Sequence, residues 1–80
     1  MKDIMINIEA TECHAKFGKY IQEIRRSKHI NQRDLAAKLG ITQPYLSYIE
    51  RGLRDVDFAL ALQICDALGV DVSDFIKNYM

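Results

Sequence analysis

Four side chains of the kind that bind metals or attack substrates occur in this 80-residue chain: Cys13, His14, His29 and Cys65. Cys13 and His14 are neighbours and the other two lie far along the chain, unlike the paired spacing of a zinc site. No metal and no cofactor are therefore expected, and no small-molecule ligand is evident. The chain carries no Ser/His/Asp set, no phosphate loop and no clustered carboxylate pair, so an enzyme is not expected either. A different chemistry is offered by Gln43, Pro44, Tyr45, Ser47 and Tyr48. Pro44 apart, these side chains are polar or aromatic, rich in hydrogen-bonding capacity and free of acids, which suits recognition better than catalysis.

The elements that position them must fit in one domain, because 80 residues lie near the lower limit for folding without disulfides or metal. Apolar residues make up 49% and charged residues 28%, an ordinary globular composition. No apolar run is long enough to span a membrane. The segment from Met1 to Glu12 alternates isoleucine with charged residues and lacks a signal-peptide core. Two cysteines cannot make a disulfide framework and suit a reducing, cytoplasmic location. Net charge is zero but unevenly spread. Residues 13–54 hold Lys16, Lys19, Arg25, Arg26, Lys28, Arg33, Lys38, Arg51 and Arg54 against Glu23, Asp34 and Glu50, while both flanks are acidic. A polyanion at contact meets the local charge, which is screened over roughly 8–10 Å.

Phe17, Ile21 and Ile24 mark a first helix to about Lys28, followed by a turn at His29. Asn31 caps a second helix with Leu35, Ala36 and Leu39 on its apolar stripe, and Gly40 stops it. Thr42 or Gln43 opens a third, with Pro44 in its first turn and Leu46 and Ile49 inward, ended by Gly52. Asp57 caps a fourth helix through Leu68, closed by Gly69, in which Cys65 is a core residue. A fifth starts at Asp71 and carries Val72, Phe75, Ile76 and Tyr79. Residues 1–12 form a short N-terminal extension, either an alternating strand or a helical lead-in, and residues 13–80 form the domain. The fold class is thus all-α, a compact five-helix domain.

The second and third helices are joined by only Gly40, Ile41 and Thr42 and must cross steeply, which is the pattern of a helix-turn-helix. With Leu46 and Ile49 inward, the Gln43/Pro44/Tyr45/Ser47/Tyr48 face can sit in a major groove, whose base edges offer donors and acceptors. In register from Phe17-Gly18 through Ile21, Ile24-Arg25, Gln32, Leu35-Ala36, Leu39-Gly40, Leu46-Ser47 and Ile49-Glu50-Arg51-Gly52 to Ala67-Leu68-Gly69-Val70, the chain resembles the Cro/C1 (XRE-like) helix-turn-helix family. The run from Tyr45 to Gly52 also looks like the small controller proteins of restriction–modification systems. The resemblance implies that Gln43 reads a base edge and that Gln32 grips a phosphate and braces Gln43. It implies contacts to bases or backbone from Tyr45, Ser47 and Tyr48, and to phosphate from Arg51. Asp55 and Asp57 stand where several relatives place bases, leaving Arg51 and Arg54 as the phosphate candidates there. Asn31, Arg33 and Pro44 complete the expected DNA-binding set, with Lys38 nearby. Arg25 and Glu50 match a buried structural pair rather than a catalytic one.

The expected function is sequence-specific regulation of transcription on double-stranded DNA, as a homodimer on a near-palindromic operator. The alternative is a protein-interaction module, an antitoxin-like partner or adaptor, which should expose apolar residues on the third helix. The dimer is expected from the fourth helix, apolar at nine of its eleven positions from Phe58 to Leu68; the alternative is a monomer in which the fifth helix alone covers the surplus. One face, through Phe58, Ala61, Cys65 and Leu68, serves the interior. Leu60, Leu62 and Ile64, with Phe75, Ile76 and Tyr79 of the fifth helix, are then expected at the dimer interface.

Overall fold

Local chemistry starts and stops each helix. The computed structural model describes the backbone of residues 2–79 and the side chains of residues 13–78. It contains α1 (Lys2–Ser27), α2 (Gln32–Leu39), α3 (Gln43–Glu50), α4 (Phe58–Leu68) and α5 (Val72–Tyr79), and no strand among the described residues. The all-α, five-helix expectation holds. The lead-in from Lys2 is helical and runs on without a break into the first expected helix. The side chains of residues 2–12 lie outside the described residues. None of the described helices is long and apolar enough to cross a membrane.

Side-chain oxygens satisfy backbone donors left open at helix starts. Asn31 Oδ1 accepts from the Asp34 N–H at 2.7 Å, Thr42 Oγ1 from Tyr45 at 3.2 Å, and Asp57 Oδ1 from Leu60 at 2.8 Å. Thr42, not Gln43, is therefore the cap of α3. At α5, Asp71 Oδ1 accepts from the Ser73 N–H at 3.0 Å. That backbone bond, followed by one from the Ser73 side chain, holds the Asp71 carboxyl below its ordinary range.

One turn geometry closes the first four helices. His29, Gly40, Gly52 and Gly69 all have left-handed backbone, with φ of 60°, 74°, 75° and 74°. The next residue, Ile30, Ile41, Leu53 or Val70, donates back to a carbonyl five residues earlier, as in a Schellman turn. Ile30, Ile41 and Val70 pack against the core, but Leu53 is 62% exposed.

The core comprises Phe17, Ile21, Leu35, Ala36, Leu46, Ile49, Ile64, Cys65, Leu68 and Phe75. α1 meets the end of α3 at Gly18, where a Cβ would stand 2.1 Å from the Ile49 carbonyl oxygen. Only a glycine permits that backbone-to-backbone approach. Burial pushes the Cys65 thiol pKa up, helped by the charge of Asp71, so it packs as a neutral apolar group.

Two parts of the expected dimer surface are corrected. Ile64 is 0% and Phe75 3% exposed within a single chain. Ile64 joins Cys65 and Leu68 on the inward stripe of α4. Phe75 meets Phe17 edge-on at a ring separation of 5.3 Å and Tyr20 at 5.3 Å, which pins α5 to α1. Phe58, expected inside, is 69% exposed. It shares the face of Cys65 but sits in the first turn of α4, at the margin of the core. There it borders an apolar hollow with Phe17, Val56, Ala61, Val72 and Ile76. Leu60 and Ala61 are partly buried, Leu62 and Ile76 are 41% and 47% exposed, and the Tyr79 side chain lies outside the described residues.

A buried ion pair ties α1 to α3. Arg25 Nε and Nη2 donate to Glu50 Oε2 at 2.7 Å and Oε1 at 3.0 Å. Arg25 Nη1 donates to the Ile30 carbonyl at 2.8 Å, so the same guanidinium also holds the turn into α2. Gln22 Nε2 adds a longer bond to Glu50 Oε1 at 3.4 Å. Removing one partner strands the other charge away from water. Glu50→Ala is expected to lose about 3–5 kcal/mol of unfolding free energy in urea titration, and a loss under about 1 kcal/mol would contradict the pairing.

Candidate nucleic-acid interface

The glutamines extend the ion pair outward. Gln32, first residue of α2, donates from Nε2 to Glu50 Oε1 at 3.0 Å. Its Oε1 accepts from Gln43 Nε2 at 3.3 Å, at the exposed start of α3. A continuous hydrogen-bonded series therefore runs from Arg25, through Glu50 and Gln32, to Gln43. Its inner end is buried, with side-chain exposures of 9% for Arg25 and 0% for Glu50. No buried side-chain nitrogen or oxygen among the described residues lacks a partner. Gln43 keeps its Oε1 and a second amide hydrogen for an outside group.

The other residues singled out from sequence fall into distinct places. Pro44 lies in the first turn of α3, where its missing N–H costs no helical bond. Pro44, Tyr48, Arg51 and Arg54 are exposed, whereas Ser47 and Tyr45 are half-buried. Tyr45 was expected outside; its ring instead packs against the core cluster. The Arg54 guanidinium lies 5.1 Å from the centre of the Tyr45 ring, and that of Arg51 lies 5.2 Å from the centre of Tyr48. Asn31 and Arg33 are exposed at the start of α2, but the Asn31 oxygen is committed to its own helix cap. Lys38 is exposed in the last turn of α2.

The acids after Gly52 are engaged elsewhere. Asp57 caps α4, and Asp55 lies 3.7 Å from His14 Nε2 on α1. His14 Nδ1 accepts from the Val56 N–H at 3.4 Å, fastening the same loop to α1. Sequence reasoning passed over three participants: Gln22, His14 and Leu53. Leu53 carried a readable signal, an apolar residue just past a helix-closing glycine, but not its exposure. Gln22 and His14 act across long sequence separations and gave none.

The arrangement is a short helix with an acid-free outer face, Gln43 at its entrance and two arginines at its exit. It can hydrogen-bond base edges and grip phosphates together. The profile of the helix-turn-helix family HTH_3 matches residues 21–75. An uncharacterized HTH-type transcriptional regulator of Mycobacterium tuberculosis, Rv0474, is 42% identical over 53 residues, 66% of this chain and 38% of that protein. The chain thus spans less than half the length of that relative. Control protein C.BamHI of Bacillus amyloliquefaciens is 38% identical over 61 residues, 75% of each chain. Among solved structures, the clp gene regulator ClgR of Corynebacterium glutamicum superposes with a TM-score of 0.78 at 31% identity, over 81% of this chain and 83% of that one. The restriction-modification controller protein C.AhdI of Aeromonas hydrophila gives 0.74 at 30% identity, over 80% and 93%. With its helix-turn-helix matched in sequence and in fold, the chain belongs to the HTH_3, Cro/C1-type helix-turn-helix family.

Proposed function

We propose that the chain is a cytoplasmic, sequence-specific regulator that binds a near-palindromic operator as a homodimer and acts by occupying it beside a promoter. The carrying observation is the tether of Gln43 through Gln32 to the buried Glu50. A glutamine held this way can accept from adenine N6 and donate to N7 with one rotamer already selected. Control proteins and transcriptional regulators among the relatives support the same reading. An interaction module would need an apolar outer face on α3, and the exposed residues there are Gln43, Pro44 and Tyr48.

The homodimer is supported by what α4 and α5 leave uncovered. Phe58 and Leu62 are one helical turn apart on α4, and Phe58 and Ile76 border the same apolar hollow. Leu62, Ile76 and the margin of Leu60 remain of the expected surface, and Phe58 joins them in place of the buried Ile64 and Phe75. A single eight-residue recognition helix also reads too few bases to select one site in a genome.

Footprinting and sedimentation on a duplex selected from random sequence test this directly. Two protomers per footprint are expected, with half-site centres about 34–36 Å apart and affinity falling steeply with added salt. No protection at low salt by folded protein would overturn DNA binding; one protomer per footprint would overturn the dimer. Gln43→Ala should lose roughly 1–3 kcal/mol of discrimination at one base position per half-site while melting within a few degrees of wild type. An equal loss on every sequence would show that Gln43 grips the backbone instead.

A further inference from the structure

Both exit arginines lie across tyrosine rings of α3, Arg51 on Tyr48 and Arg54 on Tyr45. We propose that Tyr45 and Tyr48 are positioning residues, whose ring faces pre-set the two guanidiniums as phosphate grips at the exit of α3. The proposal deepens the DNA-binding reading and rests on it. It gives the tyrosines a role different from the direct contacts that the family resemblance implies.

The geometry of a guanidinium makes the two tasks compatible. A ring binds its flat face, while its N–H groups point outward in the plane. An arginine stacked on tyrosine therefore keeps its donor edge free for the two-oxygen contact that phosphate offers. A free arginine would have to give up much side-chain freedom on docking, and a stacked one has given up part of it beforehand.

The backbone beneath each ring is fixed, and the Tyr45 ring is held as well. Tyr45 packs on the core, and its N–H is held by the Thr42 cap. Tyr48 sits on the last turn of α3, and its carbonyl accepts from the Leu53 N–H at 2.8 Å. That bond, together with Gly52 N–H to the Ile49 carbonyl at 3.0 Å, sets the turn between Arg51 and Arg54. The spacing of the two guanidiniums thus follows from a closed turn and two ring faces. Of the nearby carboxylates, Asp57 caps α4, and Asp55 lies 3.7 Å from His14 Nε2.

The test compares Tyr48→Phe, which keeps the ring and loses the hydroxyl, with Tyr48→Leu, which loses both. Tyr48 is exposed, so neither change empties the core. In the free protein, NMR should show Arg51 side-chain protons shifted upfield by the ring in wild type and Tyr48→Phe, and unshifted in Tyr48→Leu. Affinity is then read on a duplex selected from random sequence and on a scrambled duplex of equal length. Tyr48→Leu should weaken both by roughly twofold to fivefold with their ratio unchanged, and Tyr48→Phe should match wild type. An unshifted Arg51 in wild type would overturn the proposal. So would equal losses in the two variants, which assign the effect to the hydroxyl, or a changed ratio, which assigns it to base reading. Wild-type protein binding neither duplex would instead overturn the DNA-binding reading, and this proposal with it.

Discussion

The buried pair of Arg25 and Glu50 is the constraint on which the rest depends. Two charges removed from water are costly, and their attraction offsets that cost only when the remaining hydrogen-bonding capacity is also met. Here it is met by residues that do structural work of their own. The guanidinium holds the Ile30 carbonyl in the turn between α1 and α2, and the carboxylate accepts from Gln32 at the start of α2. One ion pair therefore fixes α1, α2 and α3 relative to each other, around the close approach at Gly18. Apolar packing alone would tolerate small sliding of such short helices; a doubly bonded, buried charge pair does not.

From that anchor the molecule divides into two faces with different demands. On the α2–α3 side, hydrogen bonds lead outward and end in side chains with donor or acceptor capacity to spare. On the α4–α5 side, apolar packing leads outward and ends in Phe58, Leu62 and Ile76. A base edge can satisfy the first surface, and the proposed second copy would cover the other. An 80-residue chain has little core to spare, so both residual surfaces are large relative to the whole.

Much of this was legible in the residues because helix ends have strict chemistry. Asn31, Asp57, Gly40 and Gly69 mark their boundaries through side-chain oxygens or left-handed backbone, each interpretable without tertiary information. Thr42 against Gln43 was not decidable, since both are polar and Pro44 disfavours α geometry at Gln43; the bond to Tyr45 separates them. The inward face of α4 was misread for a clear reason. When nine of eleven positions are apolar, the periodicity carries no phase, and any stripe fits. The neighbouring helices set it, burying Ile64 and leaving Phe58 in the first turn exposed. Tyr45 was placed outside by helical spacing, which ignores that a ring at the start of a short helix can reach sideways onto the core.

Through Gln32 the buried carboxylate reaches Gln43, the side chain proposed to read a base. A double-mutant cycle on Gln32→Ala and Gln43→Ala tests this link most directly, with discrimination between the selected duplex and one altered at the Gln43-dependent base as the readout. The account predicts strong coupling: with Gln43 gone, removing Gln32 should cost little further discrimination, giving an interaction energy of about 0.5–3 kcal/mol. Additive losses within about 0.3 kcal/mol would mean that Gln43 reads its base without the tether, and would contradict the account.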